Sequence, residues 1–127
     1  MWQVLVVGVG GFIGSVMRYG ANTLFAASAF PLSTLIVNIV GSFIIGFASE
    51  FIKEGLLPFP NAALFIQTGL CGGFTTFSAF SLETMTLFKE AHYLQAGLYI
   101  LLSVGLCLAG CILGILCAQL VKKSLAA

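Results

Sequence analysis

Gly69-Leu70-Cys71-Gly72-Gly73-Phe74-Thr75-Thr76-Phe77-Ser78-Ala79-Phe80-Ser81 makes up most of the second half of an uncharged stretch that runs from residue 55 to residue 82. A helix needs about 20 residues to cross the hydrocarbon core of a bilayer, and this stretch exceeds that length. Two further uncharged stretches, 19–49 and 91–121, lie on either side of it and are also long enough. The whole chain of 127 residues is 60% hydrophobic and 7% charged, and it contains no aspartate. A soluble domain carries roughly a quarter charged residues, enough to clothe its exterior. This chain cannot do so, and its solvent is therefore lipid. The fold class that follows is an all-α integral membrane protein.

Punctuation by Pro, Gly and charge divides residues 1–127 into a single domain of four spans, at about 2–27, 34–49, 61–88 and 94–121. Trp2 suits the membrane interface. Pro31 ends the first span, and Ser33 or Thr34 can cap the second. Glu50, Lys53 and Glu54 return the chain to water, Pro58 and Pro60 lead into the third span, and Lys89-Glu90-Ala91-His92 forms the turn before the fourth. An even number of spans puts both termini on one side. That side holds Lys53, Lys122 and Lys123, against Lys89 and Arg18 on the other, so the positive charge specifies orientation weakly. Insertion in both directions is permitted, and a unit this small has too little interior for a pathway of its own. An oligomer is expected.

The quoted segment places three glycines and then four hydroxyl residues at mid-membrane depth. Each glycine weakens a helix by about 1 kcal/mol relative to alanine, which makes this the expected interruption of the third span. Unwound backbone is tolerated at that depth only where protein or a polar cavity receives its freed groups, and such broken helices build ion sites. A glycine-rich packing face with back-bonded threonines is the structural counterpart of that reading. Phe77 and Phe80, three residues apart, share a face, either for packing or to offer positive ring edges to an anion. Asn38 is interhelical glue or a hydrogen-bond donor to a pore. Arg18 and Glu83 are the deep charges, each placed to act directly or to serve a structural or vestibular role. Tyr99, Ser103 and Cys107 fall on one helical stripe, which packing or a polar track explains. The glycine pairs 10/14 and 110/114 allow close helix approach.

Several classes are excluded. A net charge of +1 is not that of a polybasic nucleic-acid binder. Gly8-Val9-Gly10-Gly11-Phe12-Ile13-Gly14 imitates a dinucleotide fingerprint, but its last glycine comes one residue late and the first acid is the distant Glu50. Ala27-Ser28-Ala29 imitates a signal cleavage site, yet no basic segment precedes the apolar run and Arg18 interrupts it, so a retained span is expected. Cys71, Cys107, Cys111 and Cys117 lack metal or redox spacing and are read as small hydrophobes. Glu90 and His92 sit in a turn without a nucleophile, and no catalytic constellation exists. The chain is not expected to be an enzyme.

Three segments resemble the Fluc (CrcB) family of fluoride channels. Gly10-Gly11-Phe12-Ile13-Gly14-Ser15-Val16-Met17-Arg18-Tyr19 is similar to the family's GGxxGxxxRY segment, and Asn38-Ile39-Val40-Gly41 to its NxxG motif. Gly72 to Thr84 is similar to GGxTTFSTFSxET, the most specific of the three. The resemblance spans essentially the whole chain. It implies a dual-topology, antiparallel homodimer in the bacterial inner membrane, passing fluoride passively through two pores. It further implies that the backbone carbonyls of Gly72 and Thr75 hold a central structural sodium ion. Phe77 and Phe80 would line the pores, with Asn38, Thr76, Ser78, Tyr99 and Ser103 as polar pore residues. Arg18 would lie near the vestibule and Glu83 near the helix break. Cys107 departs from the usual hydroxyl of the track, and Ala79 replaces a common threonine.

A rival reading is a proton-coupled four-span exporter of drugs or cations. It would need a membrane-embedded acid, and Glu83 is the sole candidate. Its place beyond the glycines, towards the end of the span, disfavours it.

Overall fold

The computed structural model describes residues 1–25, 28–57 and 59–126, and every regular element among them is helical. The expected close of the first span at Ala27 and the part given to Pro58 lie outside the described residues. Helices α1 (Trp2–Leu24), α2 (Leu32–Lys53) and α5 (Tyr93–Ala126) are each long and apolar enough to cross a membrane. Between α2 and α5 the chain forms α3, which winds as a π-helix over Leu64–Cys71 and continues as one α-turn over Gly72–Phe74. Helix α4 (Phe77–Lys89) follows. Both α2 and α5 run beyond the limits expected from apolar residues alone. A backbone ladder has no reason to stop at the membrane surface, whereas an apolar count measures only the hydrocarbon part.

Neither Ser33 nor Thr34 caps α2. The N-cap position is Pro31, and no side chain caps the helix. The two hydroxyls serve tertiary contacts instead: Ser33 donates to Asn22 Oδ1 of α1, and Thr34 donates to Glu83 Oε1 of α4 at 2.7 Å. Proline fits a helix start because its missing N–H would have no intrahelical partner there.

Glycine brings the helices together. In lipid there is little hydrophobic drive between helices, so association relies on close backbone approach and dispersion. Gly10 and Gly14 of α1 meet the backbone of α3: a Cβ on Gly10 would lie 2.6 Å from the Phe65 carbonyl oxygen. A Cβ on Gly69 of α3 would lie 2.9 Å from Gly10 Cα. On the other side, Gly110 and Gly114 of α5 approach the backbone of Ile39, Phe43 and Phe47 in α2. Gly46 of α2 does the same against Cys111.

The glycines of the third segment do not themselves interrupt it. Gly72 and Gly73 remain helical, and the backbone becomes extended at Thr75 (φ −81°, ψ 160°) and Thr76 (φ −154°, ψ 116°). The reason is packing. Gly73 lies against the backbone of Gly11, and that close contact overrides a helix-propensity cost of about 1 kcal/mol. Before the extended pair, α3 packs chiefly on α1. Beyond it, α4 packs chiefly on α5. Thr75 and Thr76 therefore mark the place where the chain exchanges one neighbour for another.

Ala96 and Tyr99 of α5 are fully buried with Leu35 and Leu87, and Phe30, Ile39 and Phe80 pack around them. At the opposite end, Glu50 of α2 accepts from Lys53 at 3.0 Å and from Lys122 of α5 at 3.2 Å, and Lys122 also reaches Glu54 at 2.6 Å. Large apolar side chains such as Phe12, Leu94 and Leu101 point outward, as a lipid solvent requires.

Two helices end in matching left-handed caps. Leu56 N–H bonds the Phe51 carbonyl and Gly55 N–H that of Ile52; His92 N–H bonds Leu87 and Ala91 N–H bonds Phe88. The left-handed position is Gly55 (φ 65°) in the first and Ala91 (φ 60°) in the second. A Cβ in that conformation costs roughly 1–2 kcal/mol. Ala91→Gly will therefore raise the thermal midpoint of the protein in detergent, by about 1 kcal/mol of stability. A midpoint that falls would show that the cap is not strained.

Candidate functional site

The extended pair at Thr75–Thr76 frees backbone groups that an unbroken helix would pair internally. Those of Thr75 and Thr76 have specific partners. Thr76 N–H, which a continuous helix would direct to the Gly72 carbonyl, donates to Asn38 Oδ1 at 2.8 Å. Asn38 Nδ2 in turn donates to the Thr76 carbonyl at 3.1 Å. A single amide side chain from α2 thus holds both ends of one residue of the break, the reciprocal pairing that only Asn or Gln can make. The Thr75 carbonyl accepts from Arg18 Nη1 of α1 at 3.3 Å. Thr75 N–H and Oγ1 both return to the Cys71 carbonyl, at 2.9 and 2.8 Å. Thr76 Oγ1 caps α4 by accepting from Ala79 N–H at 3.1 Å.

These bonds bear on two side chains whose roles the sequence left open. Arg18 makes a structural contact, donating to the Thr75 carbonyl beside the break. No carboxylate pairs with it among the described residues. Asn38 resolves as interhelical glue in its Oδ1 and one N–H, which leaves its second N–H for another partner.

Beside the break lies a groove of about 460 Å³. Of the residues singled out in the sequence, Asn38, Gly72, Thr75, Thr76, Phe77, Phe80 and Ser103 border it, and Cys107 does as well. Phe77 is 78% exposed, so this wall is open along one side of the chain. The Phe77 and Phe80 rings lie 5.4 Å apart between centroids, and Phe80 lies 5.1 Å from Tyr99. Ser103 Oγ is the one buried side-chain polar atom among the described residues that has no partner.

Four candidates stand away from the groove wall. Ser78 is exposed, with its Oγ 3.2 Å from Thr76 Oγ1. Tyr99 is fully buried behind Phe80 and donates its hydroxyl to Glu83 Oε2 at 2.6 Å. Glu83 is held at both oxygens, by Tyr99 and by Thr34. Arg18 is the fourth. The stripe Tyr99, Ser103, Cys107 therefore divides, with its first member in the core and the other two on the groove.

Three participants were not read from the sequence. Thr34, taken as a cap, is a partner of Glu83. Gln67 and Ser42 border the groove. The available signal for Gln67 was its type, an amide within an apolar stretch that lipid alone would penalise.

The molecule so defined is an integral membrane protein of the helical class, with a polar helix break facing an open groove. The chain belongs to the CrcB family: residues 5–115 match the family model described as "CrcB-like protein, Camphor Resistance (CrcB)". Curated relatives cover nearly its whole length. It is 42% identical to the "Fluoride-specific ion channel FluC" of Ruminiclostridium cellulolyticum, over 97% of both chains. To the protein of the same name from Elusimicrobium minutum it is 43% identical, over 94% of this chain and 95% of that one. To that of Chlorobium phaeobacteroides it is 47% identical over 79% of each. The family drawn from the three motifs is therefore the family found.

Proposed function

We propose that the protein is a passive, fluoride-selective channel of a bacterial inner membrane, working as a dual-topology antiparallel homodimer with two pores. The observation that carries the reading is the groove at the break. It is bordered by an amide, hydroxyls and two phenylalanine rings, contains an unpaired buried hydroxyl, and is open on the side where a second copy would close it. The names of the relatives, all fluoride-specific ion channels, supply the ion and make catalysis the wrong category. In this reading α3 and α4 together form the third, interrupted crossing, and α5 the fourth.

Fluoride is small, hard and strongly hydrated. A selective path must replace its water with many donors while offering no full charge that would trap it. Asn38 has an N–H to spare, Thr76 and Ser103 supply hydroxyls, and Phe77 and Phe80 can turn their positive ring edges inward. The Arg18 guanidinium, one hydrogen bond behind the break, biases the site towards anions without entering the path. Hydrogen fluoride crosses membranes as the neutral acid and dissociates inside. An inside-negative potential then drives the anion outward with no other energy source.

A structural sodium ion belongs to the same proposal. Its fit rests on the break: the Gly72 carbonyl has lost its helical donor, Thr76 N–H, to Asn38. The Thr75 carbonyl already accepts from Arg18, which leaves it one lone pair. Hard oxygen donors of this kind suit such a cation, and the two carbonyls of a second copy would be needed to complete its shell. Bound there, the ion would neutralise converging carbonyl dipoles between the subunits.

The test is efflux from liposomes loaded with fluoride or chloride. Fluoride will leave rapidly once a potassium ionophore relieves the electrical load, and chloride will be retained. Phe77→Ile and Phe80→Ile will each slow fluoride efflux by at least about tenfold, the factor carried by roughly 1.4 kcal/mol of barrier. Undiminished flux in both variants would remove the ring-edge mechanism. The proton-coupled alternative is opposed by Glu83, which lies off the groove with both oxygens engaged. Glu83→Gln will leave fluoride efflux without any dependence on a pH gradient. Transport driven by such a gradient in the unaltered chain, and lost in Glu83→Gln, would favour the exporter.

A further inference from the structure

Of the four free cysteines, Cys71 and Cys107 border the groove. Cys71 is 3% exposed, whereas Cys107 is only half-buried and within reach of a solute. One turn before Cys107 stands Ser103, itself 7% exposed, whose Oγ has no protein partner. The large majority of buried hydroxyls are paired, with protein or with water. The groove is the face from which water or the anion would reach this one. Cys107 lies at i+4 from Ser103, on the same helical face and the same groove. The path that wets Ser103 reaches the thiol.

We propose that Cys107 is a modification site at which a water-borne, thiol-specific reagent closes the pathway. The chemistry of the site stands on its own, while its effect on transport rests on the function proposed above. A methanethiosulfonate shows the step. The Cys107 thiolate attacks the sulfenyl sulfur of the reagent and forms a disulfide. The bond from that sulfur to the sulfonyl sulfur breaks, its electron pair leaves with methanesulfinate, and the thiol proton passes to water. The 2-sulfonatoethyl reagent leaves a fixed negative charge in a groove of about 460 Å³. Both bulk and sign then oppose an anion.

The experiment treats the full chain in liposomes with 2-sulfonatoethyl methanethiosulfonate and reads two quantities: the labelled cysteine, by peptide mass mapping, and fluoride efflux. Label will enter Cys107 ahead of Cys71, Cys111 and Cys117. Efflux will fall by about tenfold or more, since a like charge a few ångströms from the path costs at least that factor. Dithiothreitol will restore it, and a Cys107→Ser chain will not respond to the reagent. Absence of label at Cys107 overturns the site, and complete label with unchanged efflux overturns the closure. A chain that passes no fluoride before treatment defeats the function proposed above, and mass mapping alone then decides the site.

Discussion

Asn38→Leu will abolish fluoride efflux and lower the thermal stability of the protein. Leucine matches asparagine in size but can neither accept from Thr76 N–H nor donate to the Thr76 carbonyl. Thr76 is 9% exposed, and so both backbone groups would lose their partner away from water. An orphaned buried polar group costs about 1–3 kcal/mol. Two together bring the loss to roughly 2–6 kcal/mol, enough to rearrange the break. The easiest rearrangement closes the helix, returning Thr76 N–H to the Gly72 carbonyl and turning Phe77 and Phe80 away from their present face. Asn38→Asp provides the internal comparison. Ionised, it keeps an acceptor for Thr76 N–H but sets a negative charge against the Thr76 carbonyl, so its thermal midpoint will also fall below that of the unaltered chain. Melting in detergent and liposome efflux measure both effects, and an Asn38→Leu protein with normal flux would show that the bridge is dispensable.

Gly14→Val carries the other large effect. A Cβ at Gly14 would stand 2.7 Å from the Phe74 backbone nitrogen and 3.1 Å from the Gly73 carbonyl carbon. Neither neighbour is a flexible side-chain end that could turn aside, so α1 and α3 must separate. Overpacking of this kind costs about 3 kcal/mol or more. It also acts on the site. Arg18 lies one turn beyond Gly14 on α1, and displacing α1 withdraws the guanidinium from the Thr75 carbonyl. Gly20→Ala on the same helix is the control, because nothing lies within 4 Å of its new methyl group. It will be neutral or gain up to about 1 kcal/mol from improved helix propensity. The expected result is a collapse in folded yield for Gly14→Val beside normal yield for Gly20→Ala. Equal yields would mean that α1 does not depend on this contact.

Much of the architecture could be read in advance because lipid is an exacting solvent. Lys53 and Lys89, with Glu50, Glu54 and Glu90, mark the ends of α2 and α4, while Arg18 lies within α1. The chemical identity of the break was equally plain in Thr75 to Ser81, where hydroxyls gather at a depth that would otherwise reject them. Its exact hinge was not. Glycine propensity pointed to Gly72 and Gly73, yet both are helical, and the missing side chain of Gly73 serves the contact with Gly11. Propensity describes a segment alone, and the neighbour decided between two uses of the same residue.

The sequence by itself determined the solvent, the helical class and which residue types stand near the break, since these follow from composition and order along the chain. Tertiary structure alone decided which partner each polar group takes. Thr34 left its cap to meet Glu83, Tyr99 turned into the core while Ser103 stayed on the groove, and Arg18 reached Thr75 across 57 residues of sequence. The physical reason is that a buried hydrogen bond depends on distance and direction between helices. Those are fixed by glycine contacts such as Gly14 on α3 and Gly114 on α2, and no local pattern encodes where those helices meet.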